Sequence, residues 1–153
     1  KPSTSPLPPL ERPVMPRSAA KNAPPAKSVR GNPETILQGK IMAALGLAPG
    51  VVPWRNAVGT AVYEGGARVE YGVGGKGAPD LFCTVQFRGL SIALYLEVKT
   101  PEGSVDPHQR QWHSAARRGG NNVAVIRSVA DALAVVAEVQ THGRVVGAWE
   151  VVP

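Results

Sequence analysis

Asp80, Glu97 and Lys99 are the residues of this sequence whose types and spacing could do chemistry. Asp80 closes the run Ala78-Pro79-Asp80, and Glu97-Val98-Lys99 ends the most apolar strand-like stretch of the chain, Ile92 to Leu96. If Leu81 to Phe87 and Leu90 to Lys99 are antiparallel strands, side-chain alternation puts Glu97 and Lys99 on one face. Asp80 then starts the preceding strand beside the end of theirs. Two close carboxylates repel each other and shift their pKa values upward unless a cation neutralises them, and all-oxygen ligands favour Mg²⁺ or Mn²⁺ over zinc. A divalent ion held there polarises a phosphoryl oxygen and acidifies water, while a lysine beside it orients that water or offsets charge developing on the phosphate. The chemistry so equipped is phosphodiester hydrolysis. A plainer alternative makes Glu97 and Lys99 an ordinary pair on a solvated strand face and Asp80 a turn cap. Against it stand the apolar strand that these charges terminate and the Pro-Asp one hairpin upstream.

Several elements must hold these groups in place. Asn32-Pro33-Glu34 reads as a helix start, with Asn32 as N-cap and Pro33 at the first position. Ile36, Leu37, Ile41, Ala44 and Leu45 continue at helical spacing to a stop at Gly46 or Pro49. Val51 to Val58 predicts a strand, and Thr60 to Tyr71, broken at Gly65-Gly66, a hairpin. A glycine-rich loop, Gly72 to Gly77, precedes the two central strands, which Arg88-Gly89 joins in a two-residue turn. After the loop Thr100 to Asp106, Pro107 opens a helix that runs through His108 to Arg118 and stops at Gly119-Gly120. Val123 to Ile126 makes a short buried strand. Ser128 caps a helix from Val129 to His142, with Leu133, Val136, Ala137 and Gln140 along one side, before a last apolar segment, Val145 to Val152. This order predicts an α/β fold, a mixed sheet flanked by helices.

The bulk properties set limits around that reading. With 153 residues, 43% of them hydrophobic, the chain has room for one domain with a real core. No apolar stretch reaches the roughly 20 residues that cross a bilayer, and no charged-then-apolar signal opens the chain, so an intracellular, cytoplasmic protein is expected. The opening residue is Lys1 rather than Met, as expected of a trimmed piece. Cys83 is the single cysteine, which excludes an internal disulfide and a cysteine-built zinc site. Most of the net charge of +6 sits in residues 1–32, where Lys1, Arg12, Arg17, Lys21, Lys27 and Arg30 face Glu11 alone. The remainder is close to neutral, so its charge does not argue for nucleic acid and the motifs must. Residues 1–32, rich in proline, serine and alanine, read as a flexible basic tail: a linker, or an arm that tracks phosphates or binds a protein. Residues 33–153 are the expected domain.

Other signals point nowhere. Gly72 to Gly77 satisfies GxGxxG by letter but precedes a strand instead of opening a helix after one, and Lys76 is followed by glycine where a phosphate-binding loop needs serine or threonine. His108 and His113, five apart, fall on different helical faces, and His142 looks like a helix-end residue, so ordinary roles are expected for all three. Trp54 and Trp112 are expected to pack in the core instead of stacking on bases, because the chain has few aromatics to build one.

Over residues 34 to about 135 the sequence resembles the VRR-NUC family, the virus-type replication and repair nuclease branch of the PD-(D/E)xK superfamily. The resemblance is carried by Glu34, Trp54-Arg55-Asn56 with Gly59, the Gly75-Lys76-Gly77-Ala78-Pro79-Asp80 loop, Glu97-Val98-Lys99, Thr100-Pro101-Glu102-Gly103, and Gln109 with Trp112. It implies a restriction-endonuclease-like fold in which Asp80 and Glu97 bind metal, the Val98 carbonyl is a further candidate ligand, and Lys99 is catalytic. Gln109 and Glu34 complete or brace the site, Glu34 also as a possible ligand; the alternatives are a helix-dipole partner for Glu34 and a surface role for Gln109. Arg55 and Lys76 are candidate phosphate contacts, although loop cations are usually just solvated. The activity implied is a Mg²⁺- or Mn²⁺-dependent DNA endonuclease acting in replication, repair or recombination. Single-domain members are encoded by phages or bacteria and pair into homodimers on branched DNA such as four-way junctions. The rival is a non-catalytic module that keeps the nuclease fold and binds nucleic acid or protein through its basic tail.

Overall fold

The computed structural model describes residues 32–149. The tail assigned to residues 1–32 lies outside them but for Asn32, as does the end of the apolar segment Val145 to Val152.

Helix α1, Pro33–Leu47, starts as its sequence predicts: the Asn32 side chain accepts the Glu34 N–H, and Pro33 occupies a position where no N–H is needed. It buries Gln38, Ile41 and Leu45. Strand β1, Val51–Arg55, follows and stops earlier than the predicted Val58, because the next residue, Asn56, turns its side chain onto the backbone of Val73 and Pro79. The predicted hairpin is present as β2, Gly59–Val62, and β3, Arg68–Tyr71, but as a two-stranded sheet of its own. The main sheet is completed by β4, Leu81–Phe87, β5, Leu90–Val98, and β6, Asn122–Ile126, in the order β1-β4-β5-β6.

The pairing is antiparallel between β1 and β4 and between β4 and β5, and parallel between β5 and β6. Phe87 pairs with Leu90, so Arg88 and Gly89 alone turn the chain, both at positive φ, 48° and 80°. That is the backbone twist a two-residue hairpin requires, and glycine at the second position accommodates it without strain. Between β5 and β6 the chain crosses through helix α2, Pro107–Arg118. Helix α3, Val129–His142, is capped by the Ser128 side chain on the Asp131 N–H and ended by Gly143 at φ 71°.

Strand alternation separates two faces. Leu81, Cys83 and Val85 of β4, Leu94, Leu96 and Val98 of β5, and Ala124 and Ile126 of β6 share one apolar core with Ile41 and Leu45 of α1 and with Ala132, Val135, Val136 and Val139 of α3. This corrects the expected phase of α3: Leu133 is 41% exposed, and the buried side runs through the alanine and valines. With small apolar residues on nearly every side of that helix, periodicity did not single out one stripe. On the other face an edge-on series of rings, Trp54, Phe82, Tyr95 and Trp112, leads from β1 to α2. Trp54 therefore packs, but at the sheet edge and 42% exposed, outside the core that was expected to hold it; Trp112 is half-buried there too. Among the described residues no helix is long and apolar enough to cross a membrane.

Candidate active site

The carboxylates meet where β4 begins and β5 ends. Register pairs Leu81 with Leu96, which sets Asp80 beside Glu97. Asp80 is held there by its surroundings: Asn56 donates its backbone N–H to the Asp80 carbonyl at 2.8 Å and its side-chain amide to the Pro79 carbonyl at 3.0 Å. The same side chain clasps Val73 from both sides, accepting its N–H and donating to its carbonyl, each at 3.0 Å. Trp112 Nε1 donates to the Gly74 carbonyl at 3.1 Å. Gly77, at φ 87°, lies so close to the His108 carbonyl that a Cβ would come within 2.4 Å of its oxygen. The glycine-rich loop is thus a fitted strap that delivers Asp80, whose Oδ2 accepts the Val98 N–H at 2.9 Å.

Glu97 is fully buried, at 0% exposure, directly after the core residue Leu96. Lys99 Nζ lies 2.7 Å from its Oε1, and Gln109 Nε2 donates to the same oxygen. Gln109 is itself fixed by a reciprocal cap: Asp106 accepts the Gln109 N–H at 3.0 Å while Gln109 Oε1 accepts the Asp106 N–H at 2.9 Å. The start of α2 therefore grips Glu97 through one side chain. Glu34, in the first turn of α1, brings its Oε1 to 3.8 Å from Lys99 Nζ. One carboxylate oxygen from each of Glu34, Asp80 and Glu97 lies within 4.8 Å of the others.

Burial, reinforced by the charge of Glu97 and, less strongly, of Glu34, pushes Asp80 up to about 7, against the opposing pull of the Val98 N–H and Lys99. Burial acts on Lys99 in the sense that lowers its pKa, but Glu97, Glu34 and Asp80 outweigh it and hold the ammonium above its ordinary value. One lysine does not neutralise three carboxylates, and Glu97 Oε2 has no hydrogen-bond partner although it is buried. A buried, unpartnered oxygen in an all-oxygen donor set fits a hard divalent cation.

Glu34, Asp80, Glu97, Lys99 and Gln109 are therefore brought together. Val98 enters through its backbone, with its N–H on Asp80 and its side chain in the core. Arg55 and Lys76 stay outside the cluster: Arg55 is exposed at the end of β1 opposite Leu81, and Lys76 is exposed on the loop, lining a cavity of about 430 Å³ with Glu70 and Tyr71.

Two residues of the site escaped sequence reasoning. Asn56 stands in the sequence only as part of a family motif, and its clasp depends on a contact 23 positions away. His113, expected to be ordinary, is 3% exposed, and its Nε2 lies 3.7 Å from Glu97 Oε2. The sequence does carry a signal for it, since Gln109 and His113 are four apart and so share a helix face.

Residues 58–130 match the family model described as the VRR-NUC domain. A solved structure titled "VRR_NUC domain" is similar at 27% identity over 71% of this chain and 95% of that one, with a TM-score of 0.43. No curated protein matches. The matched segment contains Asp80, Glu97, Lys99, Gln109 and His113, while Glu34 and Asn56 lie N-terminal to it. Residues 58–130 of the chain therefore match the VRR-NUC domain, and with them most of the carboxylate and lysine cluster lies inside the matched segment.

Proposed function

We propose that this protein is a divalent-metal-dependent DNA endonuclease that hydrolyses phosphodiester bonds, with Glu34, Asp80 and Glu97 holding Mg²⁺ or Mn²⁺ and the Val98 carbonyl as a further ligand. The observation that carries the reading is the convergence of three carboxylates, the half-buried Glu34 of α1 and Asp80 before β4 and the buried Glu97 at the end of β5, beside Lys99. When bound, the cation supplies Lewis-acid polarisation of the phosphate and a more acidic water. Lys99, kept charged by its carboxylate neighbours, would orient the attacking water or donate from Nζ to a phosphate oxygen, offsetting the negative charge that grows there. Gln109 keeps Glu97 from swinging out of place.

For the substrate, the family resemblance supports structure-selective action on branched DNA such as four-way junctions, in replication, repair or recombination of a phage or bacterium. A homodimer would set two active sites against two strands. Arg55 and Lys76 would contact phosphates beside the cluster, and residues 1–32 would add salt-sensitive affinity for nucleic acid or hold a protein partner.

The test is cleavage of labelled duplex, single-stranded, flap and four-way-junction DNA with Mg²⁺, Mn²⁺ or EDTA, by the wild-type chain and by Asp80→Ala and Lys99→Ala. Metal-dependent cutting of the junction that both variants lose is the expected result. Binding without cutting under every condition would sink the enzyme and favour a tail-driven binder, which deletion of residues 1–32 would then disable.

A further inference from the structure

Among the described residues, three buried side-chain polar atoms have no hydrogen-bond partner: Gln38 Oε1, Glu97 Oε2 and His113 Nε2. The last two face each other at 3.7 Å. Native interiors rarely leave such atoms unpaired, and two of them within a small shift of pairing call for a reason. His113 is closed off from bulk solvent, being 3% exposed on the face of α2 that Gln109 shares. Three residues divide Glu97 between them: Gln109 and Lys99 occupy Oε1, and His113 stands against Oε2. The Trp112 ring, edge-on to the imidazole at 6.1 Å between centroids, flanks it on its own helix.

We infer that His113 is a positioning residue for Glu97. Its imidazole donates Nε2–H to Oε2 and fixes the plane of the carboxylate, so that Glu97 presents its remaining lone pairs toward Asp80 and Glu34. An outer donor of this kind orients a metal-binding carboxylate and raises the affinity of the site, and removing it costs about 10- to 100-fold in metal binding. The inference rests on the proposed metal site and adds a residue to it that the constellation of Asp80, Glu97 and Lys99 does not include.

Mn²⁺ binding to the full, metal-free chain, measured by calorimetry alongside thermal unfolding, tests this with His113→Phe, His113→Leu and His113→Gln. The apolar variants keep bulk and lose the donor; glutamine returns a donor near the position of Nε2. Mn²⁺ should bind about 10- to 100-fold more weakly to a folded apolar variant and within about threefold of wild type to His113→Gln. Wild-type affinity in a folded apolar variant overturns the inference, as does a glutamine variant as weak as the apolar ones. Loss of one bound Mn²⁺ from the stoichiometry also overturns it, by making His113 a ligand. Should both apolar variants fail to fold, nitrogen NMR of the wild-type chain decides: a protonated, slowly exchanging Nε2 supports the role, and an unprotonated Nε2 excludes it. Tight Mn²⁺ binding without DNA cleavage would defeat the proposed function and leave these comparisons valid, whereas no Mn²⁺ binding at all by the wild-type chain would defeat both.

Discussion

At the end of β5 the two faces of the strand bury one residue each as deeply, and to opposite ends. Leu96 and Glu97 are neighbours, each at 0% exposure. Leu96 points into the layer beneath α1 and α3, where it joins the apolar core and dispersion and the hydrophobic effect reward the contact. Glu97 points to the α2 side, where burial brings carboxylates together, raises the pKa of Asp80 and leaves an oxygen unpaired. The apolar face stabilises the fold; the polar face consumes part of that stability to hold a charge arrangement that water would otherwise disperse.

Substitutions on the two faces should therefore separate stability from activity. Asp80→Asn should lower the cleavage rate by roughly 10³-fold or more, about 4 kcal/mol of transition-state stabilisation, while its amide oxygen still accepts the Val98 N–H and its unfolding midpoint stays at or above wild type. Leu96→Ala should behave in reverse, losing about 3 kcal/mol in denaturant unfolding by opening a cavity, with metal-dependent cutting retained by the fraction that stays folded. A large stability loss in Asp80→Asn would break the contrast.

A pH titration sharpens the same comparison. In the metal-free chain folded Asp80 holds its proton up to about pH 7, whereas unfolded Asp80 releases it near its ordinary value of 3.8. The folded state binds more protons between those values, so this group's contribution to stability is present below the lower one and is lost as pH rises through about 7. In EDTA the wild-type unfolding midpoint should fall between pH 5 and pH 8 by more than that of Asp80→Asn, and Mg²⁺ should restore it at pH 8. Parallel profiles would contradict the buried-carboxylate account. The smallest effects belong to the cations outside the cluster: Arg55→Ala and Lys76→Ala should each weaken DNA binding only a few-fold and reduce its salt dependence by about one charge, without changing Mn²⁺ affinity.

Where local chemistry decides, the sequence was legible. The Arg88-Gly89 turn, the caps at Asn32 and Ser128, Pro107 at the start of α2, both ends of β4 and the start of β5 all follow from residue type and spacing, and β5 ends at Val98, one residue short of the expected Lys99. Tertiary contacts explain the rest. Alternation identified the two faces of β5 but could not say that α2 would cover one with Gln109 and His113. Nor could it show that Asn56 would end β1 by reaching to Pro79, or that Trp54 would lie at a sheet edge. In α3, valine and alanine on successive sides gave no phase, and only contact with the sheet shows that Leu133 faces out.

Crystals soaked in Mn²⁺ and measured for anomalous scattering would test most directly whether these carboxylates hold the ion that does the chemistry. A peak about 2.1 Å from oxygens of Asp80 and Glu97, with Glu34 turned toward it and absent from crystals of Asp80→Asn, is the predicted result. A protein that cuts DNA under the same conditions with no peak at that point, or with its peak elsewhere, would contradict the account.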